Sequence, residues 1–249
     1  MSASKVDHQW RARLREALRP RLPRWPCELC GAAAGSMGIC AACSADLPWI
    51  GPACRLCARP LAATGRCAAC HGQPPPWSRA VAPLAWRFPV DALIGRFKYD
   101  GALHLGVLLG RLLAARLASD AAQGRPDGLL PVPLHPKRLG ERGFNQAQEL
   151  ARPVAAALRV PLLDDTACAR IIATPAQAGL SARQRTRNLE GAFTASSRVA
   201  GLRLAVLDDV LTTGSTAQAV AQALLQAGAA GIELWTVARG GTAQDGAKR

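Results

Sequence analysis

The stretch LAVLDDVLTTGST, residues 204–216, decides the fold. An apolar run ends at two adjacent acids, Asp208 and Asp209, and a turn of small hydroxyl-bearing residues surrounds Gly214 before a helical segment begins. A short apolar run bounded by turn residues is typical of a buried strand in a parallel sheet. Because ligands of open α/β sheets bind at the carboxyl ends of the strands, the stretch predicts a binding site there.

The residue types in this stretch suit a sugar phosphate. Successive backbone N–H groups in the turn form an anion-binding nest, and the following helix adds the positive end of its dipole. The two carboxylates suit ribose hydroxyls or a bound Mg²⁺ beside the phosphate. The alternative is an ordinary strand-to-helix connection in which Ser or Thr caps the helix. The pattern matches neither a nucleotide P-loop nor a dinucleotide fingerprint.

Strands and helices alternate on both sides of this stretch. The pattern predicts helices over residues 90–99, 103–119, 144–158 and 215–227. It predicts strands at 80–88, 127–134, 160–163, 169–172, 202–209 and 231–239. Such an alternation is typical of a mainly parallel α/β sheet with helices on both faces.

The cysteines form a separate pattern upstream. Eight of the nine lie in four C-x-x-C pairs, and each cysteine of the first half recurs 27 positions later: Cys27, Cys30, Cys40, Cys43, Cys54, Cys57, Cys67, Cys70. Two C-x-x-C turns complete a tetrahedral shell of four thiolates, so the pattern predicts two structural Zn²⁺ sites. Disulfides and a thioredoxin-like redox site are the alternatives. Tandem ribbons are favoured over interleaved ligation, since each repeat closes its own set.

Composition and charge indicate the kind of partner, and the order of motifs indicates the domains. The chain has 249 residues, 49% of them apolar, and a net charge of +14, which favours anionic partners. The predicted organisation is a basic N-terminal helix or arm (1–26), a double zinc ribbon (27–72), an α/β domain (80–240) and a flexible tail (241–249). No apolar run has the length of a membrane span, and no secretory signal is recognised, so we expect a cytoplasmic protein.

The opening stretch resembles the PRPP-binding signature of type I phosphoribosyltransferases. Together with the cysteine repeat, it makes the chain similar to the ComF family of competence-associated proteins. Three further segments share the resemblance: FKYDG (97–101), PVPLHPKRLGERGFNQA (131–147) and QAGLSARQRTRNLEGAF (177–193). The resemblance implies a type I phosphoribosyltransferase-like domain that binds PRPP with Mg²⁺.

The resemblance also implies roles for individual residues. Asp208 and Asp209 would contact the ribose hydroxyls and act in catalysis, while the turn would bind the 5′-phosphate through Leu211, Thr212, Thr213, Gly214, Ser215 and Thr216. Candidates for the pyrophosphate and for a closing lid are Lys98, Lys137, Arg142, Arg183 and Arg187, each of which has a solvated surface charge as its alternative. No motif names the acceptor, and Cys168 is expected to be a core residue.

The resemblance, together with the charge and the cysteine repeat, implies two functions. The first is a Mg²⁺-dependent phosphoribosyltransferase with an unidentified acceptor, in nucleotide salvage or DNA uptake. The second is a non-catalytic protein that retains a PRPP-type site, binds single-stranded DNA and acts with other competence or DNA-processing proteins. Basic residues around Trp10 and Trp25 suit single-stranded nucleic acid. The spacing of Trp10, Leu14 and Leu18 slightly favours a packed amphipathic helix instead.

Overall fold

The structure is a computed structural model that describes residues 26–35, 37–120, 124–173, 189 and 191–241. The chain forms two compact units, residues 1–46 and 47–249. Most of the predicted arm and tail, and the lid segment with Arg183 and Arg187, lie outside the described residues. The domain boundaries drawn from the sequence therefore stay predictions.

Each C-x-x-C repeat contains one short helix. Helix α1 (Ala41–Ala45) lies in the first unit, and helix α2 (Ala68–Gly72) lies in the second. The Sγ atom of Cys40 caps the first helix by accepting from the N–H of Cys43 at 3.4 Å. The Sγ atom of Cys54 accepts from the N–H of Cys67 at the start of the second helix, also at 3.4 Å.

The second unit is built on a parallel sheet. Its strands are β1 (Arg79–Val81), β2 (Leu84–Ala85), β3 (Gly128–Pro131), β6 (Arg203–Leu211) and β7 (Gly231–Arg239). Their order is β1, β7, β6 and β3, with β2 also pairing with β7, and every pairing is parallel. The carboxyl ends of β3, β6 and β7 therefore meet at one edge of the sheet, with β6 in the middle.

Among the described residues, five helices accompany the sheet: α3 (Val90–Tyr99), α4 (Leu103–Ala118), α5 (Pro136–Arg142), α6 (Gln146–Leu158) and α7 (Ser215–Gln226). All four side chains from Leu204 to Leu207 are fully buried, and successive side chains of a strand point to opposite faces, so both faces of β6 are covered. The backbones of α4 and α6 approach so closely that a Cβ on Gly110 would lie 2.7 Å from the carbonyl oxygen of Leu150. The predicted fold class is confirmed.

The structure differs locally from the sequence expectation in three places. The strand expected at 80–88 is split into β1 and β2 around Pro83, which has no N–H to donate to a ladder. Helix α5 was not predicted; Pro136 occupies its first turn, and the Nδ1 atom of His135 accepts from the N–H of Lys137. Strands β4 (Cys168–Arg170) and β5 (Phe193–Ala195) form a separate antiparallel pair, and β5 was not predicted.

The described helices include none that could cross a lipid bilayer. Helix α4 is the longest of those described, at 16 residues, which is shorter than the hydrocarbon core of a bilayer requires.

Candidate functional site

The eight paired cysteines form two separate clusters, and each repeat closes its own set. In both clusters the four sulfur atoms lie within 4.8 Å of one another. The Sγ atoms of Cys30 and Cys40 are 3.7 Å apart, and so are those of Cys57 and Cys67. Four thiolates bound to Zn²⁺ at about 2.3 Å in a tetrahedron have sulfurs about 3.8 Å apart, so both clusters fit this ion.

The geometry supports two structural zinc ions. With four thiolates per ion no coordination position is left for a substrate, and the ions hold ribbons that have little apolar core. In the second cluster Cys54, Cys67 and Cys70 are buried and pack with Leu56. The ninth cysteine, Cys168, is buried, and burial raises the pKa of its thiol to about 12, as expected for an unreactive core residue.

The two adjacent acids lie at the carboxyl end of β6, as predicted. Asp209 is buried and Asp208 is partly buried, and Oδ1 of Asp208 accepts from the backbone N–H of Asp209. Lys98, near the end of α3, reaches into this position, and its Nζ lies 2.6 Å from Oδ2 of Asp209. Of the cations expected near the ligand, Lys98 is therefore in direct contact with Asp209.

The two acids differ in their electrostatic environments. Burial and the neighbouring charge of Asp209 raise the pKa of Asp208 from 3.8 to about 7, although Lys98 and Arg170 oppose the shift. Burial acts to lower the pKa of Lys98, but the attraction of Asp209 and Asp208 outweighs it, so the pKa of Lys98 lies above its ordinary value. The ion pair is thus Lys98 with Asp209, and Asp208 is the group that titrates near neutral pH.

This shift predicts that Asp208→Asn stabilises the protein at high pH. The pKa of Asp208 is raised on folding, so its ionisation opposes folding, and the loss of stability develops as the pH rises from about 4 to about 7. An asparagine does not ionise, so the free energy of unfolding should rise at pH 8 by on the order of 4 kcal/mol, with almost no gain at pH 4. Thermal melts between pH 4 and pH 8 measure this difference. A pH-independent effect, or the same gain in Asp165→Asn on an exposed loop, would contradict the assignment.

The turn after β6 has the features of an anion nest. Gly214 has φ +82°, a left-handed conformation that favours glycine, and a Cβ there would lie 3.3 Å from the ring of Trp77. The Oγ atoms of Thr213 and Ser215 are 2.9 Å apart at the first residue of α7. Within the described part of the chain, the N–H groups of Thr212, Thr213 and Gly214 have no acceptor. These donors are available to a ligand.

Arg239, the last residue of β7, sets the orientation of this turn. Its side chain is 4% exposed, and its Nη1 donates to the carbonyl oxygens of Leu211 at 2.8 Å and Thr212 at 2.9 Å. In a trans peptide the carbonyl and the following N–H point in opposite directions. The N–H groups of Thr212 and Thr213 therefore point away from Arg239.

The same residue connects the turn to the second zinc ribbon. The Nε atom of Arg239 donates to the carbonyl oxygen of Cys57 at 2.7 Å. Trp77 makes a parallel connection, because its Nε1 donates to the carbonyl oxygen of Leu56 at 2.6 Å while its ring lies against Gly214. The backbone of the zinc-binding loop thus supports the turn in two places.

Sequence reasoning missed Arg239, Trp77 and Arg170 as parts of the site. One signal was available for Arg239, since a charged residue follows the apolar pair Val237 and Ala238 at the carboxyl end of a predicted strand. Arg170 lies on β4 with its guanidinium 5.5 Å from the ring centroid of Phe193, and no local pattern places it near Asp208.

The other predicted cations that the structure describes, Arg142 and Lys137, make no ion pair with Asp208 or Asp209. Arg142 lies over the exposed ring of Tyr99, with its guanidinium carbon 5.9 Å from the ring centroid, next to Lys98 in the chain. Lys137 is exposed on α5 and makes no ion pair with an acid that the structure describes. Asn145 is the N-cap of α6, and its Nδ2 donates to the carbonyl oxygen of Val132 at 3.1 Å.

Comparison with known proteins supports this two-part organisation. The family model for the double zinc ribbon domain matches residues 17–71. The DNA utilization protein YhgH of Escherichia coli (strain K12) is 38% identical over 170 residues, which is 67% of this chain and 74% of that protein. Competence protein F of Haemophilus influenzae is 35% identical over 173 residues, 67% of this chain and 75% of that protein.

More distant similarities involve smaller shares of the sequence or structure. Competence protein ComFC of Streptococcus pneumoniae is 26% identical over 147 residues, 58% of this chain and 60% of that protein. Among solved structures, the glutamine PRPP amidotransferase from B. subtilis, complexed with ADP and GMP, matches 53% of this chain with TM-score 0.36 and 19% identity. The match spans 25% of that structure.

The relatives from Escherichia coli and Haemophilus influenzae share more than a third of their residues with this chain across about three quarters of their own length. In this chain the region matched by the double zinc ribbon model precedes most of a parallel sheet. We conclude that it belongs to the ComF, or competence protein F-like, family.

Proposed function

We propose that the chain binds PRPP at the carboxyl end of β6 and acts in DNA utilization. The observation that supports this most directly is the combination of two acids with an open nest. Asp208 and Asp209 are followed by three consecutive N–H groups, those of Thr212, Thr213 and Gly214, that have no acceptor among the described residues. Carboxylates accept from sugar hydroxyls, and a nest at a helix N-terminus binds phosphate.

In this proposal each group has a defined task. The nest holds the 5′-phosphate, and the carboxylates of Asp208 and Asp209 hold the ribose hydroxyls. Lys98 pairs with Asp209 in the ligand-free site, and in this proposal it turns to the pyrophosphate once the sugar occupies the acids. Mg²⁺ bound with PRPP would neutralise the pyrophosphate, as the oxygen-rich donors suit this hard cation.

If the site is catalytic, the reaction is a displacement at the anomeric carbon of the ribose. The acceptor nucleophile forms a bond to that carbon while the bond to the pyrophosphate oxygen breaks and pyrophosphate leaves. The carbon becomes positively charged in the transition state, so Asp208 and Asp209 stabilise it electrostatically. The acceptor itself is not defined by any feature described above.

Calorimetric titration of the zinc-loaded protein with PRPP and Mg²⁺ tests the site. We expect binding by the wild type and at least about a hundredfold weaker binding by Asp208→Asn/Asp209→Asn. The reason is that two charge-assisted hydrogen-bond acceptors are lost, each worth about 1.5–3 kcal/mol.

Asp164→Asn/Asp165→Asn is the matched control, since it changes a second pair of adjacent aspartates that is exposed. It should bind PRPP as the wild type does. Absence of binding by the folded wild type, or equal loss in the two double variants, would refute the PRPP proposal.

A second candidate function is non-catalytic binding of single-stranded DNA. The net charge of +14 favours it, as do relatives named for DNA utilization and competence. The two functions differ in one product, because only the transferase releases pyrophosphate. An assay for pyrophosphate with a panel of nitrogen and hydroxyl acceptors separates them once PRPP binding has been measured.

A further inference from the structure

A second cavity, separate from the acidic site, lies between the second zinc ribbon and the edge strand β1. Its volume is about 370 Å³. Residues 50–58 and 64–66 of the ribbon form one wall, and residues 78–83 with the carboxyl end of α4 form the other. The charged side chains that line it are four arginines and one carboxylate: Arg55, Arg66, Arg79, Arg116 and Asp120.

The charges of the cavity do not balance. Asp120 pairs with Arg79 and lies 3.8 Å from Arg116, so a single carboxylate serves two guanidinium groups. Arg79 also has Glu233 at 3.9 Å. Arg55 and Arg66 are exposed and make no ion pair with the residues that the structure describes. The surplus positive charge therefore belongs to the wall that the zinc ribbon provides.

The zinc ribbon holds these two arginines in fixed positions. Arg55 directly follows the zinc-ligand candidate Cys54, and Arg66 directly precedes Cys67. The N–H of Arg55 donates to the carbonyl oxygen of Gly65 at 2.8 Å, and its own carbonyl accepts from the N–H of Ala80 in β1 at 2.7 Å. Because both backbones are anchored, a ligand would need to order only the side chains.

We propose that this cavity is a second anion site, which binds phosphate groups of a nucleotide or of a single nucleic-acid strand. Guanidinium groups pair with phosphate through two parallel hydrogen bonds. None of the described residues that line the cavity is aromatic, so the proposed contacts are made by guanidinium groups to phosphate, which carries no sequence information. The proposal does not depend on PRPP binding at the acidic turn.

The test uses the full zinc-loaded chain without Mg²⁺ and two probes, a fluorescent 15-residue oligothymidylate and inorganic pyrophosphate. Arg55→Ala/Arg66→Ala should bind the oligonucleotide at least about tenfold more weakly. The slope of log affinity against log salt should become less steep by about 1.4, since each single-strand phosphate contact accounts for about 0.7. Arg59→Ala/Arg87→Ala removes the same charge from exposed positions outside the cavity and should stay within about twofold of the wild type.

The outcomes separate the two sources of phosphate. Loss of oligonucleotide binding alone assigns the cavity to a nucleic-acid strand, whereas loss of pyrophosphate binding as well assigns it to phosphate groups from either source. Unchanged binding of both probes, or equal loss in the two double variants, would overturn the proposal.

A competing role for Arg55 and Arg66 is to neutralise the negative charge of a zinc ion with four thiolates. Zinc content measured on the same samples detects this role. Thr64→Glu adds a negative charge to the cavity wall while leaving both arginines in place. It should weaken oligonucleotide binding by several-fold with two zinc ions retained, and binding equal to that of the wild type would also overturn the proposal.

Discussion

Cys70→Ser is expected to remove one zinc ion and, with it, the ability of the sheet unit to bind a sugar phosphate. Cys70 is buried in the second cluster, and the loop of that cluster accepts hydrogen bonds from Trp77 and Arg239 through the carbonyls of Leu56 and Cys57. Loss of the ion releases the loop, so both supports of the turn are lost. The free energy of unfolding should fall by at least about 4 kcal/mol, a decrease of about 8–16 °C in Tm.

Cys43→Ser provides a closely matched control for this experiment. Cys43 occupies the equivalent position in the first cluster, 27 residues earlier, and belongs to the other compact unit. Both variants should contain about one zinc ion per chain by metal analysis. Only Cys70→Ser should lose PRPP binding and lower the melting temperature of the sheet unit. Equal effects of the two substitutions would show that the second ribbon does not support the turn.

The second large effect is expected for Arg239→Met. The guanidinium group is buried and donates to the carbonyl oxygens of Cys57, Leu211, Thr212 and Gly240. A methionine fills similar space but leaves these buried acceptors without their donor, so the free energy of unfolding should fall by about 3 kcal/mol or more. The Tm should fall by roughly 6–12 °C. The peptides of the turn would also lose the contact that orients their N–H groups, so PRPP affinity should fall at least about tenfold.

Arg203→Met is the control for Arg239→Met. Arg203 begins the neighbouring strand β6, and its exposed side chain lies 3.6 Å from Asp127. An exposed ion pair contributes at most about 1 kcal/mol, so Tm should change by no more than about 4 °C and PRPP binding should be unchanged. A titration that gave normal PRPP affinity for Arg239→Met would show that the turn keeps its conformation without this side chain.

The two substitutions also test whether stability and binding depend on the same contacts. In Cys70→Ser the turn loses its support through the ribbon, whereas in Arg239→Met the ribbon keeps its zinc. If the Arg239 side chain is needed to orient the peptides of the turn, both variants should lose PRPP affinity. Only Cys70→Ser should also lose zinc. A thermal shift without loss of affinity would assign Arg239 to stability alone.

The sequence by itself determined the features that depend on short spacings. Four C-x-x-C pairs predict two four-thiolate sites. In the structure each repeat forms its own cluster of four cysteines, as the tandem arrangement predicts. The apolar run that ends at Asp208 and Asp209 predicts a buried parallel strand, which is β6. The predicted helix over 90–99 has the observed bounds of α3. These predictions succeed because side-chain periodicity and ligand geometry are set by residues a few positions apart.

Only the tertiary structure decided which distant residues complete the site. Lys98 contacts Asp209 because the end of α3 reaches the carboxyl edge of the sheet. Arg239 and Cys57 are separated by 182 residues yet joined by a hydrogen bond. The arginine-lined cavity likewise combines a zinc ribbon with the edge of a sheet. A local pattern contains no information on such contacts, because they form only when separately determined elements pack together and bury their polar groups against one another.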